Sequence, residues 1–325
     1  VLISNSLLRT VTECERKYYY KGVKQLVLNR PSTPLKRGSW LHELLEAHYL
    51  GEGWEKRHRT LVKEYIRLSD EDKEYYGNLP DDCEMLMRRY VYHWRSVDRH
   101  LKIIAVEKVF ELPWPHGHLF QGKFDVIVED EYGVWLMEHK SHKTLPDDDY
   151  RFQDIQTARY VYTLNKLGTY GDITGILWNY IVTTLPKKPA ILKDGSRLSK
   201  RKIKTDALTL IAALKEYGLD PRDYRDDIIR LKKRSSDYFR RVPTPIQVPV
   251  VERLVKEGVL AADRIEELER GRTPIRNIGR HCTYSCDYQD LCIIELYGGN
   301  PKPLIKAKFH KELPLSYHGT TEEAS

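Results

Sequence analysis

Two short alternating runs, Gly122-Lys123-Phe124-Asp125-Val126-Ile127-Val128 and Trp135-Leu136-Met137-Glu138-His139-Lys140, constrain the fold more than any other part of the chain. Each reads as a β-strand, and Glu131-Tyr132-Gly133 between them reads as a turn. Side chains alternate faces along a strand, so Glu138 and Lys140 share one face while His139 points to the other. Folding back at the turn sets Asp125 roughly opposite Glu138, to within a residue of register. Two carboxylates and a lysine then converge on one edge of a small sheet. Hard divalent cations take oxygen ligands of this kind, and an ammonium beside them can position a water or offset anionic charge. The same residues could also form a plain cross-strand ion pair on a solvated face, so their company elsewhere in the chain decides between the two readings.

The flanking pattern predicts further elements. Helical spacing begins at Ser4-Asn5-Ser6, carries Leu7, Leu8, Val11 and Tyr18, and marks roughly the first forty residues as helical. A second helix is expected from Gly38 to Leu50, burying Leu41, Leu44, Leu45 and Tyr49, and more helix follows to about His100. Strands are expected over Ile103–Glu111, Leu119–Glu129 and Val134–Lys140 as an antiparallel meander, then a helix over Asp148–Leu167 and a strand over Ile176–Val182. From Leu185 to Gly271 the chain turns basic, with helices near Thr205–Tyr217 and Val250–Arg270 and an interruption at Pro243-Thr244-Pro245.

Three of the five cysteines, Cys282, Cys286 and Cys292, lie close together near the C-terminal end. That grouping points to metal binding. Cys14, Cys83 and His281 are the candidates for a fourth ligand. Zinc commonly uses two short-spaced knuckles, so one remote cysteine with a C-terminal triplet favours an iron–sulfur cluster over zinc, although spacing alone leaves both open. The chain carries 54 Lys+Arg against 47 Asp+Glu, a formal charge of +7. This excess is compatible with a polyanionic partner. It clusters at Lys187-Lys188, Lys200-Arg201-Lys202, Lys232-Lys233-Arg234 and Arg240-Arg241, which are the candidate DNA-contacting residues. Twenty-two tyrosines add rings able to stack on unpaired bases. No secretory signal or membrane-length apolar run is present, so a cytoplasmic protein, of a bacterial cell or phage-infected host, is expected.

Taken together, these pieces resemble the RecB-like branch of the PD-(D/E)XK nucleases, in particular its members with a four-cysteine iron–sulfur cluster: CRISPR-associated exonucleases, the AddB-type nuclease domain and phage exonucleases. Ser4-Asn5-Ser6-Leu7-Leu8 with Cys14-Glu15-Arg16-Lys17-Tyr18-Tyr19-Tyr20 is similar to that family's N-terminal helix and first cluster cysteine. Arg37-Gly38-Ser39-Trp40-Leu41-His42-Glu43 is similar to its glycine-to-histidine motif, Gly122-Lys123-Phe124-Asp125 to its second motif, Glu138-His139-Lys140 to the (D/E)XK element, and Gln156-Thr157-Ala158-Arg159-Tyr160 to its Gln-X-X-X-Tyr motif. The Cys282–Cys286 interval has three intervening residues where two are common, and Cys83 has no place in the pattern.

The resemblance implies an α/β (α+β) fold with a restriction-endonuclease-like core, a small mixed sheet flanked by helices, plus a basic helical region and a C-terminal Fe–S segment. With the change of composition after Leu185 and the polar C-terminal end, which the resemblance does not cover, the chain divides into an N-terminal cluster helix and nuclease core over 1–184, a basic, mainly helical insertion over 185–271, a cysteine segment over 272–300 packing on the N-terminus, and a tail over 301–325. The resemblance assigns Mg²⁺ or Mn²⁺ to His42, Asp125, Glu138 and the His139 backbone carbonyl, with Glu107 completing the shell or orienting a ligand. Lys140, Gln156 and Tyr160 join Asp125 and Glu138 as catalytic residues, and Cys14, Cys282, Cys286 and Cys292 hold a 4Fe–4S cluster. The function implied is a metal-dependent DNA exonuclease acting on single-stranded DNA or duplex ends in phage or bacterial recombination and processing. A Gly-X-X-X-X-Gly-Lys-(Ser/Thr) loop is missing, so unwinding would fall to a helicase or recombinase partner. Two other readings remain. One is a DNA-end-binding subunit of a helicase–nuclease or spacer-acquisition complex, with minor hydrolysis of its own; the other is a zinc-stabilised nucleic-acid-binding protein.

Overall fold

A computed structural model of the chain describes residues 1–147, 151, 154–199, 203–234 and 237–312. In chain order, strand β1 (Leu2–Ile3) leads into helices α1 (Asn5–Glu13) and α2 (Glu15–Tyr18), a π-helical turn (Tyr19–Val23) and β2 (Leu26–Leu28). Four helices follow: α3 (Thr33–Tyr49), α4 (Trp54–Ile66), α5 (Asp70–Tyr76) and α6 (Leu79–Asp98). Strands β3 (Lys102–Val106), β4 (Val109–Trp114), β5 (His118–Lys123), β6 (Val126–Asp130) and β7 (Gly133–His142) come next, then α7 (Ile155–Leu167) and β8 (Ile173–Val182). The rest comprises α8 (Ala207–Glu216), α9 (Arg225–Lys233), β9 (Phe239–Pro245), α10 (Val248–Glu269), α11 (Arg280–Ser285), α12 (Gln289–Leu296), α13 (Lys302–Lys308) and β10 (Phe309–Lys311).

The central sheet is mixed, in the order β3-β6-β7-β8-β9, with β7 and β8 parallel and every other pair antiparallel. Alternation along β7 sends Leu136 to one face and Trp135 and Met137 to the other. The first face packs against α1, α7 and α10 through residues such as Leu8, Val161 and Ile265. The second packs against α3, α4 and α6 through Leu44, Leu61 and Leu86. A small mixed sheet covered on both faces by helices is therefore the architecture, as the resemblance implies.

Five details differ from the expectation. The two long strands expected over Ile103–Glu111 and Leu119–Glu129 are each broken, at Glu107 and at Phe124-Asp125. Beyond the breaks, β4 and β5 leave the central sheet and pair with each other and with β1 in a separate three-stranded sheet. The first forty residues are not continuously helical, because β1 and β2 interrupt them. Pro243-Thr244-Pro245 does not interrupt the fold but closes β9, the edge strand beside β8; an edge strand tolerates proline, whose missing N–H would face solvent. That strand and α10 place 239–269 in the core of the molecule rather than in a separate basic unit. Finally, the start of the expected tail is ordered. Strand β10 pairs antiparallel with β2, and Tyr288, Leu291 and Phe309 pack with Tyr20 and Leu26. The remainder of the tail, 313–325, lies outside the described residues.

Candidate active site

Both strand breaks deliver an acid to the same place. Glu107 follows β3 with φ of 50°, a left-handed conformation that costs a non-glycine residue about 1–2 kcal/mol. Its N–H donates to the Asp125 carbonyl at 2.8 Å. The hairpin thus changes sheets at this pair, and the chain's two kinks lie side by side. Asp125 continues the β6–β7 register, in which Val126 sits opposite Met137, and so lies next to Glu138. The Asp125 carboxylate accepts the His139 N–H at 2.7 Å on one oxygen and lies 3.3 Å from His42 Nδ1 on the other. His42 arrives from α3, whose buried face carries Leu41, Leu44 and Leu45 into the second core. One ligand atom from each of His42, Glu107 and Asp125 falls within 4.8 Å of the other two.

Glu138 and Lys140 share a face of β7, with Lys140 Nζ donating to Glu138 Oε1 at 2.9 Å. The other oxygen, Glu138 Oε2, is buried with no hydrogen-bond partner. A buried carboxylate oxygen left bare is costly, and burial pushes the Glu138 carboxyl up to about 7, Lys140 opposing and Asp125 adding to the shift. Glu107 is likewise pushed up to about 7 by burial and by the Asp125 charge, against the pull of Lys123 Nζ at 2.5 Å. Burial would lower His42, but the Asp125 carboxylate outweighs it and holds the imidazole up at about 9. Burial would raise Asp125, and its imidazole neighbours, His42 first, keep it well below the usual carboxylate range. Three crowded acids, one of them with an unsatisfied oxygen, plus an imidazole, form a donor set that suits a hard divalent cation. The residues present fit that ion.

Burial would lower Lys140 too; Glu138 and Asp154, whose Oδ2 is 3.0 Å from Nζ, raise it above its ordinary value and fix it as an ammonium. Asp154 also caps α7, accepting from the Thr157 N–H. Asp154 lies in no recognisable motif, and Lys123, although inside the Gly122–Asp125 motif, has no role there by itself; both emerge only when their strands and helix are packed. Gln156 and Tyr160 stand one turn apart on α7, with Gln156 Nε2 donating to the Tyr160 hydroxyl at 3.2 Å. The Tyr160 ring is buried edge-on against Phe110, 5.0 Å between centroids, in space that Gly122 leaves: a Cβ there would stand 2.8 Å from the ring. Lys140, Asp154 and Gln156 line a cleft of about 430 Å³ whose far wall includes Asn5, Arg9 and Arg159.

On the opposite face of β7 the His139 ring stacks on Tyr49, 5.5 Å between centroids. Its Nδ1 lies 2.7 Å from Asn179 Nδ2. Behind them, Arg241 is buried, donating to Tyr49, Tyr90 and Asp98. Arg241 was expected on the DNA-contacting surface. Its side chain is 6% exposed and paired with Asp98, which removes it from any surface role. The other described members of that set, Lys187, Lys188, Lys232, Lys233, Arg234 and Arg240, are exposed. Lys188 pairs with Glu216 and Arg234 with Asp237, while Lys200, Arg201 and Lys202 lie outside the described residues.

Cys14 lies at the α1–α2 junction against segment 272–277. The Asn277 N–H donates to Cys14 Sγ at 3.5 Å, Arg276 Nε to Cys292 Sγ at 3.3 Å, and Cys282 Sγ contacts the Asn277 carbonyl at 3.9 Å. Among the described residues, no three cysteine sulfurs lie within 4.8 Å of one another. Cys83 is fully buried in the second core. No described helix is long and apolar enough to cross a membrane.

No curated protein matches the chain. A solved structure described as "Crystal structure of SSO0001" is 12% identical, covering 73% of this chain and 79% of that one with a TM-score of 0.28. The family model of the PD-(D/E)XK nuclease superfamily matches residues 2–293, a span that takes in His42, Glu107, Asp125, Glu138 and Lys140, and the chain belongs to that superfamily.

Proposed function

We propose that the chain is a DNA exonuclease that hydrolyses phosphodiester bonds of single strands or duplex ends with Mg²⁺ or Mn²⁺, in phage or bacterial DNA recombination and processing. Superfamily membership makes it a metal-dependent nuclease with DNA as substrate. One observation supports the catalytic reading above the rest: His42, Glu107 and Asp125 converge within 4.8 Å beside a Glu138 oxygen that has no protein partner. His42, Glu107, Asp125, Glu138 and the His139 carbonyl would hold the ion, which supplies Lewis-acid polarisation of the phosphodiester and a water of lowered pKa.

The chain's own groups do the rest. Lys140, kept as an ammonium by Glu138 and Asp154, offsets the charge that builds on the phosphate oxygens in the transition state. On the same face as Glu138, it can also position or activate the attacking water. Gln156 lies on the cleft wall with its amide held to Tyr160, where it can donate to the substrate backbone, and Arg9 brings positive charge to the same cleft. The exposed basic residues from Lys187 to Arg240 extend the phosphate-binding surface, and a helicase or recombinase partner would supply any unwinding.

We also propose a 4Fe–4S cluster on Cys14, Cys282, Cys286 and Cys292. Support comes from the N–H groups of Asn277 and Arg276 aimed at two of the sulfurs, since such donors stabilise cluster thiolates. A single zinc ion would need the sulfurs about 4 Å apart, closer than any three of them stand. The nuclease assignment is tested by incubating end-labelled single- and double-stranded DNA with anaerobically purified protein and Mg²⁺ or Mn²⁺. Metal-dependent shortening that disappears in Glu138→Ala is the expected result. Binding without cutting in either metal overturns the assignment in favour of an end-binding subunit.

A further inference from the structure

A second cluster of metal-binding side chains stands apart from the nuclease centre and shares no residue with it. The β4–β5 hairpin turns through Pro115–Gly117, and its tip lies on α10. The approach is close because α10 offers Gly258 to Trp114: a Cβ at that position would stand 2.8 Å from the indole. Trp114 in turn stacks on Phe120, 4.3 Å between centroids, so the base of the hairpin is anchored in the core. His118, paired across the hairpin with Trp114, is fully buried and places Nε2 2.8 Å from Asp263 Oδ1. His116 places Nδ1 2.9 Å from the same oxygen and 3.0 Å from the other. It does so from a left-handed backbone, φ of 61°, a conformation glycine or asparagine fills more cheaply.

One half-buried carboxylate therefore faces two imidazoles from different depths of the fold, with one ligand atom of each residue within 4.8 Å of the other two. An aspartate is ionised at neutral pH, as a ligand must be. Two imidazole nitrogens and one carboxylate are the donor set of borderline transition ions; Mg²⁺ and Ca²⁺ prefer all-oxygen shells. Ligand atoms about 3–3.5 Å apart suit an ion with bonds of about 2.0–2.2 Å, an expansion of a few tenths of an ångström from the present spacing. His116 is 59% exposed, which leaves an entry path and room for water beside the protein ligands.

We propose that His116, His118 and Asp263 bind a divalent transition-metal ion, Zn²⁺ in the first instance, that clips the hairpin of the three-stranded sheet to α10. The test titrates Zn²⁺ alone into the purified chain in competition with a chromophoric chelator, comparing wild type with His116→Ala and Asp263→Asn. Both variants keep the nuclease residues and all cysteines, so zinc taken up elsewhere cancels in the comparison. The expected result is one fewer equivalent bound by each variant, a zinc-dependent rise in Tm that is smaller than in wild type, and a difference X-ray absorption spectrum with imidazole scattering and no sulfur. Equal stoichiometry and equal Tm rise in wild type and His116→Ala overturn the proposal, as does a difference spectrum of sulfur ligands alone. His116 lies at the exposed hairpin tip, so its variant decides the question even if Asp263→Asn fails to fold.

Discussion

Lys140 Nζ lies 3.0 Å from Asp154 Oδ2, joining the strand that carries Glu138 to the residue that caps α7. One carboxylate thus holds the Lys140 ammonium and starts the helix bearing Gln156. Asparagine caps a helix as well as aspartate does, which separates the two jobs. Asp154→Asn should lower single-turnover cleavage about ten- to a hundredfold, as loss of an orienting partner commonly does, with little change in urea unfolding. Asp154→Ala should lose the same activity and also about 1 kcal/mol of stability.

Glu138→Gln should abolish the charge that an ion requires while relieving the protein of a buried carboxylate. Cleavage is expected to fall by at least about 10²–10³-fold. In chelator at pH 8 the variant should melt no lower than wild type, because a folded-state carboxyl raised to about 7 costs stability once pH exceeds its unfolded value. A large drop in Tm would show that the Glu138 charge is structural.

Acid should destabilise the chain through His139. Burial lowers this imidazole to about 3, below its unfolded value near 6.5. Below that unfolded value the denatured chain takes up a proton that the folded chain refuses. Stability is therefore fully present above about pH 6.5 and is lost as pH falls toward 3. Urea midpoints at pH 7 and pH 5 should separate less in His139→Gln than in wild type.

Arg240 and Arg241 are neighbours in sequence with opposite fates. Arg241→Ala removes a buried guanidinium and leaves the half-buried Asp98 with Tyr49 alone, and should cost about 3 kcal/mol, measured by denaturant unfolding. Arg240→Ala should leave stability unchanged and reduce the slope of log affinity for DNA against log salt by about 1.

Cys14→Ala and Cys83→Ala distinguish a cluster ligand from a packing thiol. Anaerobically purified wild type and Cys83→Ala should both show visible iron–sulfur absorbance, and Cys14→Ala should lose it. Cys83→Ala should instead lose stability, by less than the roughly 2–5 kcal/mol of a Leu→Ala truncation, because it deletes a smaller buried group from the second core.

The central strands, the Glu138–Lys140 face and the His42 helix were legible because period-2 and helical spacing report directly on which side chains are buried; the mixed order of the sheet came from the resemblance alone. The breaks at Glu107 and Asp125 were not. Apolar alternation resumes on the far side of each, so a strand that changes sheets looks like one that continues. Pro243 and Pro245 look like interruptions because proline excludes central strands, yet β9 is an edge. Arg241 belongs to a basic run by composition and to an ion pair by packing, and only Asp98, far away in the chain, tells them apart. Asp154 carries no motif, and its role depends on where α7 begins.

Strand β2 pairs with β10, so Leu26–Leu28 must wait for Phe309–Lys311 to be synthesised before that ladder can close. His42, Glu107, Asp125, Glu138, Lys140 and Asp154 will all have left the ribosome well before then. The loop joining β2 to β10 is long, so its closure costs more entropy than that of the hairpins in the other sheets. All six of those residues are therefore present while β2 still lacks its partner strand. A chain cut short before Phe309 keeps every one of them and loses only this ladder and the packing around it.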